Sequence, residues 1–133
     1  KVESEFLKYS QKEGILIMAY SPLAQGWLTG KYSLNTPIPP GIRRRNRLFR
    51  RSNMRRGYPL LNTLKEIAAK HDVDMAQIAL NWIIRNPNVA AIPGAKNEKQ
   101  VEINATSSEV KLTDNDVTQI KQALLEFKPK LFF

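Results

Sequence analysis

Two stretches of this chain combine small hydroxyl, glycine and lysine residues in ways that could hold an anion. The first runs Ala19-Tyr20-Ser21-Pro22-Leu23-Ala24-Gln25-Gly26-Trp27-Leu28-Thr29-Gly30-Lys31-Tyr32. Its glycines would let backbone amides approach a ligand closely, and Lys31 would supply charge. The second runs Ile92-Pro93-Gly94-Ala95-Lys96-Asn97-Glu98-Lys99-Gln100-Val101-Glu102-Ile103-Asn104-Ala105. There a glycine turn leads into a helix start, where unpaired amides and the helix dipole favour phosphate, and Lys96 adds a cation. Taken alone, the first stretch reads equally well as a strand followed by a turn. The second, taken alone, reads more readily as a solvated helix start carrying a surface lysine.

Other chemistries find little material. Cysteine is absent, which removes disulfides and thiolate nucleophiles. A single histidine, His71, cannot form a histidine cluster, so no metal site is expected. His71 follows Lys70 near a predicted helix end and reads as a surface residue that suits the dipole there. The formal net charge of +9 is concentrated in one place: eight arginines and no acid lie between Arg43 and Arg56. Without them the chain is close to neutral. Three readings of this segment stay open. It is a solvated loop, a closing loop that attracts anionic ligands, or a nucleic-acid contact with Phe49 available to stack on a base. Arginine without lysine suits phosphate forks.

The elements that must position these residues follow from periodicity and punctuation. Val2, Phe6 and Tyr9 recur at helical spacing up to Lys12, and Gly14 closes that helix. Ile15 to Tyr20 is a continuous apolar run of the kind that forms a parallel strand buried on both faces. Residues 21–59 read mostly as loop, with a long basic loop over 33–59 punctuated by prolines. A helix over Leu60 to His71 is predicted, with Leu60, Leu61, Leu64, Ile67 and Ala68 on one side. Asp74, with Gln77 at capping-box spacing, starts the next helix, whose apolar stripe is Ile78, Ala79, Trp82 and Ile83. Asn86-Pro87-Asn88 ends it. Val89 to Ile92 is a second strand, followed by a helix over Glu98 to Ala105. Thr113 caps a last helix, with Val117, Ile120, Leu124 and Phe127 facing inward. The aromatic tail, Lys128 to Phe133, is expected to dock on something. Two parallel strands cannot bury a sheet by themselves, so this α/β pattern calls for strands from missing chain or from a partner.

The two glycine-bearing stretches, with Ala76-Gln77-Ile78-Ala79-Leu80-Asn81-Trp82 between them, resemble the aldo-keto reductase family. The likeness runs from about Gly14 to about Phe127. Its wording is nearest the bacterial and archaeal reductases and the potassium-channel β-subunit branch. The resemblance implies a (β/α)8 TIM barrel, of which this chain would be the C-terminal portion, holding the last two strands with their helices in a single partial domain over 1–133. It implies NADP as cofactor. Tyr20 would stack on the nicotinamide, Ser21, Leu23 and Gly26 would line the pyrophosphate channel, and Lys31 would lie near the phosphates. Gly94, Lys96 and Gln100 would surround the adenosine 2′-phosphate, and Asn104 would meet the adenine. The family places a glutamate just before that asparagine. Here the position is Ile103, and Glu102 is about 100° away around a helix.

The family's catalytic tetrad of Asp, Tyr, Lys and His has no matching residues here, so no catalytic residue is assigned. The resemblance thus implies the coenzyme-binding part of an NADPH-dependent aldehyde and ketone reductase that is not self-sufficient. The alternative is a non-catalytic, truncated subunit acting in binding or assembly, in which Arg43 to Arg56 contacts nucleic acid. The chain starts at Lys1 inside a predicted helix and without an initiating methionine, as expected of a piece of something longer. Expected partners are the remaining barrel half or a second copy, and a small carbonyl substrate in the full enzyme. No apolar run approaches the ~18 to 20 residues that cross a bilayer. With no signal-peptide pattern, a cytoplasmic setting is expected.

Overall fold

The structure is a computed structural model that describes residues 5–131. The start of the first predicted helix at Val2, and Phe132 and Phe133 of the tail, lie outside the described residues. Helix α1, Leu7–Lys12, ends in a Schellman arrangement. The Ile15 amide donates to Ser10 O (2.8 Å) and the Gly14 amide to Gln11 O (3.3 Å), while Gly14 takes a left-handed φ of 64°. The predicted apolar face of α1 is not covered: Phe6 and Tyr9 are exposed, and Ser10 is the buried residue.

Strands β1, Ile17–Tyr20, and β2, Val89–Ile92, pair in parallel, Ile17 opposite Val89 and Tyr20 opposite Ile92. The expectation of burial on both faces fails at β1. Met18 and Tyr20 stand in solvent, as do Leu16 and Ile92. Side chains alternate across a strand, and with only two strands present one face has no layer over it.

Between the strands lie two helices that supply most of the core. Helix α2 spans Arg51–Lys70 and α3 spans Met75–Ile84. The basic loop expected over 33–59 therefore ends at Arg50, and three short 3-10 turns, Ala24–Thr29, Gly41–Arg45 and Arg47–Phe49, order much of what precedes it. Gly57-Tyr58-Pro59 reads as a break by propensity, yet it sits inside α2. Tertiary contacts override propensity here. Asn53 is fully buried and donates to Arg47 O (2.8 Å) and Lys130 O (3.1 Å), while accepting from the Lys130 amide (2.9 Å). Met54 accepts from Trp27 Nε1 (2.8 Å). Gly57 carries no side chain because the Trp27 ring occupies the space a Cβ would need.

The remaining elements are α4, Glu98–Thr106, and α5, Asp114–Glu126. The core joins Leu60, Leu64 and Ile67 of α2, Ile78 of α3 and Ile120 and Ala123 of α5, with Trp27 and Phe49 reaching in from the turns. Trp27 is 1% exposed and stacks on Phe127 (centroids 5.3 Å apart, 20° between planes). The capping box read at Asp74 and Gln77 is present, and Thr113, read as a cap, forms a second box with Asp116. Gln77 Oε1 accepts from the Asp74 amide (2.9 Å), and Asp116 Oδ2 accepts from the Thr113 amide (2.9 Å).

Candidate coenzyme site

Because Tyr20 pairs with Ile92, the two glycine-bearing stretches leave the sheet side by side at the C-terminal ends of parallel strands. Ligands bind at that end in parallel α/β folds. Tyr20 is 87% exposed there, its ring free to meet a planar ligand.

Beyond β1 the backbone turns through left-handed conformations at Ser21, Ala24, Gln25 and Gly26, with φ of 51°, 48°, 59° and 92°. Glycine adopts such values freely, whereas side chains on the other three oppose them. Strained backbone of this kind gathers at ligand-binding turns. Three bonds lock the turn: the Ala24 amide to Ser21 O (2.8 Å), the Gly26 amide to Leu23 O (2.9 Å), and Thr29 Oγ1 to Gly26 O (2.8 Å). The Lys31 ammonium lies over the Tyr32 ring, 5.4 Å from its centroid.

Beyond β2, Asn97 caps α4 by accepting the Gln100 amide (3.0 Å). Gln100 Oε1 in turn accepts from the Lys96 amide (2.9 Å), leaving its amide nitrogen as a donor. A Cβ on Gly94 would meet nothing within 4 Å, so the turn has open space beside it. Gln100 and Asn104 share one face of α4 at i, i+4, and Asn104 is half-buried. Ile103 is its half-buried neighbour, and Glu102 lies around the helix from Gln100 and is exposed.

The structure adds two residues to the first turn. Arg43 Nε donates to Gln25 O (2.8 Å), and Asn46 Nδ2 donates to Gln25 Oε1 (3.1 Å). The basic segment is thereby folded back onto the turn after β1. No spacing rule links positions this far apart, so the only signal in the sequence was the density of arginine.

His71 is not the free surface residue expected of it. Its Nε2 lies 2.8 Å from Asp116 Oδ2, and Lys70 Nζ lies 2.8 Å from Oδ1. Asp116 is 1% exposed at the start of α5 and also accepts from Thr113 Oγ1 (2.7 Å). Burial pushes the Asp116 carboxyl up, but hydrogen bonds from Lys70, His71 and Thr113 outweigh it and hold the group well below the usual carboxylate range. Asp74 had signalled a helix start in the same way as Thr113. Nothing in the spacing pointed to this link between α2 and α5.

The aldo/keto reductase family pattern matches residues 1–125, and the chain belongs to that family. It is 41% identical over 125 residues to an uncharacterised oxidoreductase of Mycobacterium tuberculosis, covering 94% of this chain and 38% of that protein. An aldo-keto reductase of Schizosaccharomyces pombe named for NADP(+) is 30% identical over 119 residues (88% of this chain, 35% of that one). A methylglyoxal reductase of Escherichia coli, named as NADH-specific, is 30% identical over 122 residues (91% and 37%). The structure of a glycerol dehydrogenase from Gluconobacter oxydans shares the fold, with a TM-score of 0.83 at 24% identity, over 99% of this chain and 41% of that one. The chain thus spans well under half the length of these relatives.

Proposed function

We propose that this chain is the coenzyme-holding C-terminal part of a nicotinamide-dependent carbonyl reductase with a (β/α)8 barrel. The observation that carries the reading is the strand register, which brings the strained turn after β1 beside the glycine turn and helix start after β2. In this reading Tyr20 offers its exposed ring to the nicotinamide. The turn at Ser21, Leu23 and Gly26 cradles the pyrophosphate with backbone amides, joined by Lys31 and by Arg43. Gly94, Lys96 and Gln100 meet the adenosine end, and Asn104 faces the adenine. When bound, the coenzyme supplies hydride. The residues of this chain bind and orient it, and the acid that protonates the carbonyl oxygen comes from chain outside these residues.

Lys96 favours NADP, because a cation beside the helix start suits a 2′-phosphate. Relatives named for each coenzyme leave that choice to experiment. In fluorescence titrations of the full-length protein, Lys96→Ala is expected to weaken NADPH binding about tenfold and NADH binding little. Tyr20→Ala is expected to weaken both. Equal loss for the two coenzymes in Lys96→Ala would remove the 2′-phosphate assignment. Unchanged affinity in Tyr20→Ala would remove the stacking role.

A further inference from the structure

The arginine segment is only partly used by the candidate coenzyme site. Arg43 turns toward Gln25, but Arg44, Arg45, Arg50, Arg51, Arg55 and Arg56 are exposed and have no carboxylate partner among the described residues. Their position is electrostatically unfavourable. The first turn of α2 contains no acid, and Arg50 at its N-cap makes no side-chain capping bond. Cations therefore crowd the positive end of a 20-residue helix, against the dipole. A local rule broken without compensation among the described residues is the mark of a surface shaped for something else.

The pattern on α2 narrows the partner. Arg51, Arg55 and Tyr58 follow one another at i, i+4 and i+7, on one face. Tyr58 is 60% exposed. Arg51 also lines an open groove with Arg44, walled by Asn35, Pro37, Ile38 and Pro40. The surface is thus a basic track with an exposed aromatic at one end and an open groove of mixed polar and apolar lining at the other. Phe49, the aromatic that the sequence offered for stacking, is buried edge-on against Tyr32 (5.0 Å) and takes no part. We infer that this face binds a short single-stranded nucleic acid without sequence preference. Its phosphates lie along Arg44, Arg51 and Arg55, and a base stacks on Tyr58. An acidic peptide would match the charge, and its carboxylates fit guanidinium forks as phosphates do; the exposed Tyr58 ring beside the arginines is what favours nucleic acid, whose bases stack on such rings.

The test is fluorescence anisotropy of a labelled uridylate oligomer titrated with the full-length protein between about 50 and 200 mM salt. The expected result is binding that weakens steeply with salt. Arg51→Gln with Arg55→Gln lowers affinity at least about tenfold and makes the log–log salt slope shallower by about 1.4, roughly 0.7 for each phosphate contact removed. Tyr58→Ala lowers affinity about five- to hundredfold and leaves the slope unchanged. None of the three residues belongs to the candidate coenzyme site, so NADPH titration and circular dichroism of the same variants serve as controls for folding. Absence of binding at about 50 mM salt overturns the proposal. So does polyglutamate binding as tightly as the oligomer, or a Tyr58→Ala variant that binds like the parent.

Discussion

At the scale of single residues, the one fully buried carboxylate among the described residues serves structure rather than chemistry. Asp116 ties the end of α2 to the start of α5 through Lys70, His71 and Thr113. Its folded pKa lies below the unfolded value of about 4. The native state therefore binds fewer protons than the unfolded state once the pH drops below about 4, and stability falls there. Above that value the contribution is complete. Asp116→Asn is expected to lower stability by about 2 kcal/mol at pH 7, a magnitude typical of hydrogen bonds to a buried charge. Lys70 is half-exposed and adds little to that figure. Urea unfolding of the full-length protein and its variant should give curves that converge as the pH falls below about 4. A constant gap would show that the carboxylate charge is not the source. Residue roles were legible where a local rule applied, as with Gly14, Asp74 and Thr113. They were hidden where partners come from distant chain: Arg43 on Gln25, Asn53 on Lys130, and His71 on Asp116.

At the scale of elements, the sequence was clearest where apolar periodicity was strong. The buried faces of α2 from Leu60 onward, α3 and α5 follow the spacing of leucine, isoleucine and alanine. It was least clear at the start of α2, where glycine, proline and arginines all argue against a helix. That turn is held from outside, by Asn53 against the tail and by Trp27 lying on Gly57. Gly57→Ala separates the two influences. Alanine is the better helix former by about 0.5–1 kcal/mol, yet its Cβ must displace the indole, and such overpacking costs about 1–3 kcal/mol. The packing effect should win, so the variant is expected to show a lower urea midpoint with an unchanged m-value. A raised midpoint would mean that Trp27 can shift at little cost. The two strands were also legible, but not their one-sided exposure, because a short apolar run does not say how many layers will cover it.

At the scale of the whole molecule, the bare face formed by Leu16, Met18 and Tyr20, with Ile92 beside it, is the largest departure from a self-contained fold. Contiguous exposed apolar surface with open strand edges favours association. The isolated 133-residue chain is accordingly expected to sediment as oligomers or to lack a cooperative unfolding transition. A monodisperse monomer that unfolds cooperatively would count against this. No helix among the described residues is long and apolar enough to cross a membrane. The pairing of β1 with β2 has a further consequence, in time rather than in space. The turns, α2 and α3 all lie in the chain between Ile17 and its partner Val89. Closing so long a loop is entropically late and slow, whereas the α2–α3 contacts are short-range. Hydrogen exchange should therefore find the amides of α2 and α3 protected earliest during refolding and the strand amides last. The surface that gathers the candidate coenzyme residues would then be the final part of this chain to take shape.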